Sequence, residues 1–348
     1  MKSKMAAKIT KLRFIAFEVT RRCRYVCRHC RAHAGFHENE SELTTSQCKR
    51  ILNSIAEFDR CTIILTGGEP MERSDIYSLI RYGKGAGLRM VMATCGYKID
   101  DKSIDKLEES GIEAMSFSLD GASAATHDKF RGIDGAFDCV MAAAAIAKKH
   151  HVRFQINTTI SKINIDEVDS ITDLARELGA ECFDAFILVP TGRAEHIAGE
   201  VLDPVQYEVL LNELLRLKLE SKMRVHVTCG PQFSRICQLA DARGLTQHVR
   251  GCLGGKEFAF ISFRGDVQIC GFLGISAGNL VGNHYNFAQI WLGSDFLREV
   301  RDTSRYASPC ANCEFVGVCG GCRARAYAMT GDYLGKDPIC AYKPGEKK

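Results

Sequence analysis

Three cysteines lie close together near the start of the chain, in the segment Cys23-Arg-Tyr-Val-Cys27-Arg-His-Cys30. Three thiolates at this spacing can bind three irons of a [4Fe-4S] cubane, which leaves the fourth iron without a protein ligand. An open iron can chelate an amino group and a carboxylate of a substrate. Zinc sites normally use four ligands, usually in two separated pairs. The triplet therefore predicts an iron–sulfur cluster, with three buried free thiols as the alternative.

A second chemistry-bearing segment is Gly67-Gly68-Glu69-Pro70, which follows a predicted strand. The two glycines allow the backbone to approach a ligand closely. The glutamate side chain can balance an ammonium group. Taken alone, the segment would be an ordinary turn between a strand and a helix, and it gains meaning from its position one strand after the cysteine triplet.

The elements that must position these residues alternate between short apolar runs and helical patterns. We predict strands at Arg13–Val19, Thr62–Leu65, Arg89–Ala93, Ala114–Leu119, Arg153–Thr159 and Cys182–Val189. We predict helices at Thr45–Phe58, Ser74–Gly85, Lys102–Ser110, Gly135–His150, Ile165–Leu178 and Pro204–Ser221. Six βα units predict an α/β fold with a parallel sheet, either open or a partial (β/α)6 barrel. Functional residues should gather at the carboxyl ends of the strands.

The pattern changes after about residue 230, where cysteine and glycine become dense and helical periodicity fades. One stretch there reads as a hairpin, with strands Phe258–Phe263 and Val267–Cys270 around the turn Arg264-Gly265-Asp266. We therefore expect two domains, a core over residues 1–240 and a small cysteine-rich domain over residues 241–348.

Composition narrows the class of protein. The chain has 348 residues, 17 cysteines and a net charge of +4 with interspersed signs, which gives no case for nucleic acid. Residues 1–11 contain no apolar run typical of a signal peptide. The longest apolar run, Cys139–Ala147, is too short to cross a membrane and is expected to be a buried helix. The cysteine distribution favours iron–sulfur ligation in a reducing compartment, so we expect a cytoplasmic protein.

The triplet and the Gly-Gly-Glu-Pro segment together resemble the radical S-adenosylmethionine (SAM) superfamily. The resemblance implies a [4Fe-4S] cluster on Cys23, Cys27 and Cys30 and S-adenosyl-L-methionine as cofactor. It places cofactor contacts at Gly67, Gly68, Glu69, Pro70, Ser118, Asp120, Arg131 and Asn157. For Arg131 and Asn157, a solvated or core-capping role is the alternative. Cys95 stands where relatives often have asparagine, and we interpret it as a small residue in a turn.

The C-terminal cysteines resemble the SPASM extension of that superfamily, which carries auxiliary iron–sulfur clusters. The resemblance assigns one [4Fe-4S] cluster to Cys310, Cys313, Cys319 and Cys340, and it leaves Cys252, Cys270 and Cys322 for another. The family usually has a further cysteine soon after the first of these, but here residues 253–257 contain none. The second cluster could be absent, could recruit Cys229, or could keep an open iron. A zinc ribbon is the competing interpretation. The remaining thiols, expected to pack as small buried hydrophobes, are Cys48, Cys61, Cys139, Cys182 and Cys237.

Three stretches resemble the tetrapyrrole-modifying branch most closely, and they are residues 186–193, 251–255 and 318–333. The resemblance to the heme synthases of that branch implies oxidative decarboxylation of two propionates of iron-coproporphyrin III to vinyl groups, giving heme b. It implies an iron-porphyrin substrate and an external electron donor similar to flavodoxin or ferredoxin. Candidate forks for the substrate carboxylates are Arg193, Arg323 and Arg325.

Three other functions remain open at this point. A 12,18-didecarboxysiroheme deacetylase, or another tetrapyrrole-modifying enzyme, would use the same parts. Peptide-modifying SPASM enzymes often carry an N-terminal recognition domain, and only about a dozen residues precede the first predicted strand here. An iron–sulfur electron carrier has no need of a triplet with an open iron beside Gly-Gly-Glu-Pro.

Overall fold

The computed structural model describes residues 11–36, 41–241 and 249–345. One ten-stranded sheet runs through it in the order β10-β9-β8-β1-β2-β3-β4-β5-β6-β7. Its strands are β1 (Phe14–Thr20), β2 (Thr62–Gly67), β3 (Arg89–Thr94), β4 (Ala114–Ser118), β5 (Phe154–Ile160), β6 (Cys182–Ile187), β7 (Arg224–Thr228), β8 (Phe258–Ile261), β9 (Asp266–Gln268) and β10 (Gly278–Asn279). Strands β1 to β7 are parallel and adjacent in chain order, the order of a partial (β/α) barrel.

Helices connect the parallel strands and continue into the C-terminal part. They are α1 (Thr45–Phe58), α2 (Ile76–Gly85), α3 (Asp101–Ser110), α4 (Ala124–Arg131), α5 (Ala136–Lys149), α6 (Val168–Leu178), α7 (Pro204–Glu220), α8 (Phe233–Ala240), α9 (Phe287–Gly293), α10 (Asp295–Arg301) and α11 (Arg323–Thr330). None of the helices in these described ranges is long and apolar enough to cross a membrane.

Local sequence signals explain the element that follows β1. Helix α1 begins at a capping box in which Thr44 and Gln47 satisfy each other's backbone N–H groups. Its buried positions recur at helical spacing and pack on the sheet, and they are Cys48, Ile51, Leu52 and Ile55. The alanine-rich run predicted as a buried helix is α5, whose alanines 143, 144 and 147 are fully buried.

The six predicted strands and six predicted helices are present with small shifts at their ends, and the predicted hairpin is the antiparallel pair β8–β9. The expectation that helical structure fades after residue 230 was wrong, because α8, α9, α10 and α11 all lie there. These helices are seven or eight residues long, too short for a periodic pattern to stand out. Helix α4 and strand β7 were also missed.

The sheet continues across the predicted domain boundary. Strand β8 pairs in parallel with β1, with Phe14 opposite Phe258, so the C-terminal strands extend the β1 edge. The division at residue 240 stays a prediction about folding units, and it adjoins residues outside the described ranges. The carboxyl ends of β1 to β7 all lie at the same end of the sheet, and the predicted residues of the first cluster and cofactor lie there.

Candidate active site

The cysteine triplet lies on a closed loop that leaves the carboxyl end of β1. The loop returns to its own start, since the Cys23 N–H donates to the Gly35 carbonyl at 2.7 Å and the Gly35 N–H donates to the Arg21 carbonyl at 3.2 Å. Cys23 and Cys27 are buried and Cys30 is half-buried. Residues 21–35, which we call the cysteine loop, therefore hold the three thiols within one compact turn of chain.

The segment that follows β6 also contacts the cysteine loop and holds it in place. The Arg193 guanidinium donates to the Cys27 carbonyl at 2.9 Å and to the Ala34 carbonyl at 2.7 Å. Gly192 has φ = 63°, and a Cβ there would lie 2.5 Å from the Arg31 carbonyl oxygen. The sequence offered Arg193 as a fork for a substrate carboxylate, but its Nε and Nη1 bind the loop backbone, and Nη2 alone has no partner in the described structure.

The two glycines after β2 pack directly against the backbone that precedes the triplet. A Cβ on Gly67 would lie 2.3 Å from the Thr20 carbonyl oxygen, and one on Gly68 would lie 2.3 Å from that of Arg22. Close approach to a ligand is the reason expected for these glycines from the sequence. The structure adds a reason within the chain itself, because any side chain here would push the cysteine loop away from β2.

Glu69, which follows β2, is a buried carboxylate. Its side chain is 1% exposed and accepts hydrogen bonds from the Thr94 hydroxyl and the Cys95 N–H, both at 2.8 Å. In the described ranges no cationic side chain forms an ion pair with it. Burial raises the pKa of Glu69, although hydrogen bonds from Cys95, Met71 and Thr94 oppose that shift. A bound ammonium group would supply the missing positive charge.

A buried ion pair lies beside the triplet. Asp120 is 0% exposed, and its carboxylate lies 2.6 Å from Arg131 Nη2. Its other oxygen accepts the Thr159 N–H at 2.7 Å. Arg131 Nη1 lies 3.8 Å from Cys27 Sγ. Burial alone would lower the pKa of Arg131, but Asp120 and Cys27 outweigh it and raise that pKa. The Arg131 guanidinium thus places a fixed positive charge beside Cys27, where an anionic cluster would bind.

Two further predicted contacts lie side by side on the sheet. Ser118 on β4 is in register with Asn157 on β5, and both side chains are half-buried. The Asn157 side chain accepts a hydrogen bond from Gln155 at 2.8 Å. Pro70 begins a short 3-10 helix that Glu69 caps. The predicted residues of the first cluster and cofactor thus gather at one end of strands β1 to β5.

The triplet's donor chemistry fits a metal cluster. Burial raises the pKa of Cys23 to about 12 and also raises that of Cys27. Both thiols therefore stay protonated at neutral pH unless a metal ion stabilises the thiolate. The Arg131 guanidinium beside the Cys27 sulfur suits an anionic iron–sulfur cluster.

The C-terminal thiols form two neighbouring groups. Burial raises the pKa of Cys319 to about 12, and charges on Cys340 and Cys310 contribute to that rise, so these three lie near one another. Cys310 similarly affects Cys313. In the second group, a charge on Cys322 would raise the pKa values of Cys252 and Cys270.

No tight cluster of thiols is formed in the described parts of the chain, where no three cysteine sulfurs lie within 4.8 Å of one another. Of the five thiols expected to be small buried hydrophobes, Cys139 is half-buried and four are buried, namely Cys48, Cys61, Cys182 and Cys237.

The other two arginines proposed as substrate forks are buried and engaged. Arg325 is 0% exposed and pairs with Asp337 at 3.0 Å. Arg323 donates to the Gly335 carbonyl at 2.7 Å and lies over the Tyr306 ring. The fork expectation is corrected for Arg325, since its guanidinium is enclosed by protein acceptors.

Sequence reasoning missed several residues of this end of the sheet. Thr94 lies at the end of β3, and its hydroxyl donates to Glu69 and so orients the carboxylate. His29 precedes Cys30, stacks on Phe130 at 4.3 Å and keeps Nδ1 without a described partner. Its position inside the triplet was the available signal. Cys95, interpreted as a small turn residue, donates its N–H to Glu69.

Comparison with known proteins gives two family matches. Residues 17–175 match the Radical SAM superfamily, and residues 252–314 match SPASM, an iron-sulfur cluster-binding domain. The second match ends before Cys319, Cys322 and Cys340.

Relatives and solved structures extend the comparison. The AdoMet-dependent heme synthase of Methanosarcina barkeri is 41% identical over 345 residues, covering 96% of this chain and 98% of that protein. The Fe-coproporphyrin III synthase of the same organism is 30% identical over 354 residues, covering 94% and 87%. The crystal structure of Streptococcus suis SuiB bound to S-adenosylmethionine has a TM-score of 0.76 at 17% identity, covering 95% of this chain and 78% of that one. The last likeness concerns the fold alone.

Proposed function

The chain belongs to the radical SAM superfamily and carries a SPASM-type iron–sulfur domain, and from this premise we propose that it converts iron-coproporphyrin III into heme b. It is a radical SAM enzyme. One observation carries the substrate assignment: the chain shares 41% identity with the heme synthase of Methanosarcina barkeri but 30% with that organism's Fe-coproporphyrin III synthase. Both alignments cover nearly the whole chain.

The proposed reaction turns two propionate side chains into vinyl groups. When bound, the first cluster and S-adenosyl-L-methionine supply a 5′-deoxyadenosyl radical that removes a hydrogen atom from the propionate β-carbon. The propionate then loses CO2 and one electron, and a carbon–carbon double bond forms. Each decarboxylation therefore consumes one S-adenosyl-L-methionine and needs an acceptor for one electron.

We assign the first cluster to Cys23, Cys27 and Cys30. The placement of the three thiols on one short loop and the adjacent Arg131 support that assignment. Glu69 would bind the ammonium group of the cofactor's methionine, because its carboxylate is buried, oriented by Thr94 and lacks a described counter-charge. Ser118 and Asn157 would offer polar contacts from the neighbouring strands. Asp120 acts through Arg131 rather than on the cofactor.

The C-terminal cysteines would hold auxiliary clusters that accept the electron released by the substrate. We assign one cluster to Cys310, Cys313, Cys319 and Cys340 and propose a second that includes Cys252, Cys270 and Cys322. The reductant of the first cluster would be an external flavodoxin- or ferredoxin-like donor.

The decisive test is an anaerobic assay with iron-coproporphyrin III and, in parallel, 12,18-didecarboxysiroheme. With S-adenosyl-L-methionine and dithionite, the enzyme should convert iron-coproporphyrin III into a monovinyl intermediate and then heme b. Two molecules of 5′-deoxyadenosine should form per heme. Chromatography and mass spectrometry measure these products. Glu69→Gln is a matched control that keeps the side-chain shape and removes its charge. Removal of acetate from didecarboxysiroheme, with iron-coproporphyrin III left unchanged, would assign the chain to the deacetylases instead.

A further inference from the structure

Cys229 is a cysteine with an unusual backbone and no assigned role. It directly follows β7 and has φ = 58°. Few non-glycine residues occupy this left-handed region, and those that do are held there by surrounding structure, often at functional sites. Here the holding group is Arg325, whose Nη2 donates to the Cys229 carbonyl at 2.6 Å. The conformation fixes the direction of the Cys229 side chain.

That side chain points into the second C-terminal thiol group. Cys322 is the largest influence that raises the pKa of the Cys229 thiol, and Cys270 is close enough for its charge to raise that pKa further. Cys252 and Cys270 in turn neighbour Cys322. Four thiols from four separate segments therefore converge, one at the end of β7, two on either side of the β8–β9 hairpin and one at the start of α11.

A buried polar network fixes Cys229 and Cys322 relative to each other without a metal. The Arg325 backbone N–H donates to the Cys322 sulfur at 3.4 Å, while its side chain binds the Cys229 carbonyl. Asp337 pairs with Arg325 and also accepts the Cys322 N–H at 3.0 Å. Gln232, three residues after Cys229, donates to Asp337 at 2.8 Å. The two thiols are thus positioned in advance.

The charges around the four thiols suit an anionic cluster. Four thiolates on a cubane give a net negative charge, which is costly to bury without cations nearby. Lys256 and Arg323 both favour the charged form of Cys252, and Arg325 favours that of Cys322.

We propose that Cys229 is the fourth ligand of an auxiliary [4Fe-4S] cluster whose other ligands are Cys252, Cys270 and Cys322. The inference rests on the proposed function, which places an iron–sulfur cluster at the latter three. It replaces the cysteine that the family usually has within residues 253–257. Because all four irons then have protein ligands, this cluster has no open iron for substrate, and its role is electron transfer. It also joins the β7 end of the sheet to the C-terminal cysteines.

The test measures iron content and electron paramagnetic resonance (EPR) spectra of the reconstituted full-length protein. Cys322→Ala should lose about four irons. Cys229→Ala should lose between about one and four irons, or show the EPR signal of an oxidised [3Fe-4S] cluster. Cys48→Ala, a substitution at a fully buried thiol of α1, should keep the wild-type iron content and spectrum. Cys229→Ser should recover part of the iron, because serine oxygen can bind iron.

The outcomes separate this inference from the proposed function. If Cys322→Ala loses iron while Cys229→Ala keeps the wild-type iron content and spectrum, the fourth-ligand assignment is overturned and the cluster stands. If Cys322→Ala also keeps all its iron, the auxiliary cluster itself is absent. Should Cys229→Ala fail to fold by circular dichroism, Cys229→Ser decides, since an unchanged cluster spectrum in that variant overturns the inference.

Discussion

The cysteine loop and the C-terminal thiols reach similar surroundings by different routes. In the loop, three thiols come from one short segment, and the chain between Cys23 and Cys30 is enough to bring them together. In the C-terminal part, Cys252, Cys270 and Cys322 lie on separate segments that only the folded structure makes neighbours. The first arrangement is encoded locally, and the second depends on packing.

Both regions nevertheless contain a buried arginine–aspartate ion pair beside their cysteines. Arg131 lies 3.8 Å from a cysteine sulfur and pairs with Asp120. The Arg325 guanidinium donates to the Cys229 carbonyl at 2.6 Å, favours the charged form of Cys322 and pairs with Asp337. Both aspartates are 0% exposed. A buried arginine paired with a buried aspartate keeps a permanent positive charge beside a thiolate without leaving that charge unpaired.

The largest expected effect separates the two regions by what they do. Replacing Cys23, Cys27 and Cys30 together by alanine should lower 5′-deoxyadenosine formation at least about 1,000-fold, to the uncatalysed background. Cys313→Ala or Cys340→Ala should still cleave S-adenosyl-L-methionine but form little or no vinyl product. Both products are measured by chromatography in one anaerobic assay.

Iron analysis of the same samples provides the control. The triple variant should lose about four irons and keep the C-terminal clusters. Formation of heme at the wild-type rate by Cys313→Ala and Cys340→Ala would show that the C-terminal cluster is not the electron acceptor.

The contrast also explains what the sequence could predict. The triplet and Gly-Gly-Glu-Pro carry their meaning in short spacings, so the first cluster's ligands and Glu69 could be proposed directly. The six long βα units could be proposed because buried strands and amphipathic helices have distinct periods. Helix α4 escaped notice although it ends at Arg131, because its eight residues carry only a weak pattern.

The C-terminal contacts had no comparable signal. Nothing in the residues around Cys229 indicates that it meets Cys322, since that contact depends on how β7 and α11 pack. Arginines 193, 323 and 325 were interpreted as substrate forks because position along the chain does not reveal burial. Their actual partners are mostly backbone carbonyls, which sequence patterns do not specify.

The next effect concerns the two ion pairs. Arg131→Met leaves Asp120 as an unpaired buried charge, and Arg325→Met does the same to Asp337. Each variant should lower the free energy of unfolding by about 3–5 kcal/mol, measured by denaturant titration of the reconstituted protein. Equal costs would support one device used twice.

Two further variants sharpen the comparison. Adding Asp337→Asn to Arg325→Met should recover part of the loss, because the buried charge is gone. Arg216→Met, in an exposed network with Glu213 and Glu220, should cost less than about 1 kcal/mol. A cost for Arg131→Met as small as that for Arg216→Met would contradict the role assigned to the buried pair.

Glu69 should show opposite effects on binding and stability. Glu69→Gln removes the charge that would pair with the cofactor ammonium, so affinity for S-adenosyl-L-methionine should fall about 10- to 150-fold, for about 1.5–3 kcal/mol. Since burial raises the pKa of Glu69, the same variant should be more stable than wild type without the cofactor at neutral pH. Calorimetry and thermal unfolding measure the two effects, and unchanged affinity would reduce the segment to a turn.

A third buried aspartate, unlike Asp120 and Asp337, forms no ion pair with an arginine in the described chain. Asp184 on β6 is 8% exposed, and Oδ1 has no hydrogen-bond partner in the described structure. Thr228 donates to its other oxygen at 3.1 Å, and Cys182 and His226 lie beside it on the sheet. No arginine or lysine of the described chain pairs with it. Burial raises the pKa of Asp184 to about 6.

Asp184→Asn should therefore stabilise the protein, with a defined pH dependence. Between pH 4 and 6 the folded protein keeps a proton on Asp184 that the unfolded chain releases, so wild-type stability falls as pH rises through this window. The asparagine variant escapes that loss, and at pH 7.5 its free energy of unfolding should be higher by at most about 3 kcal/mol. At pH 4 the two proteins should have the same free energy of unfolding.

Asp173→Asn, at an exposed aspartate of α6, should change stability by less than about 0.5 kcal/mol at either pH. Denaturant titrations at both pH values give the comparison, and a destabilised Asp184→Asn at pH 7.5 would mean that this carboxylate has a cationic partner in solution.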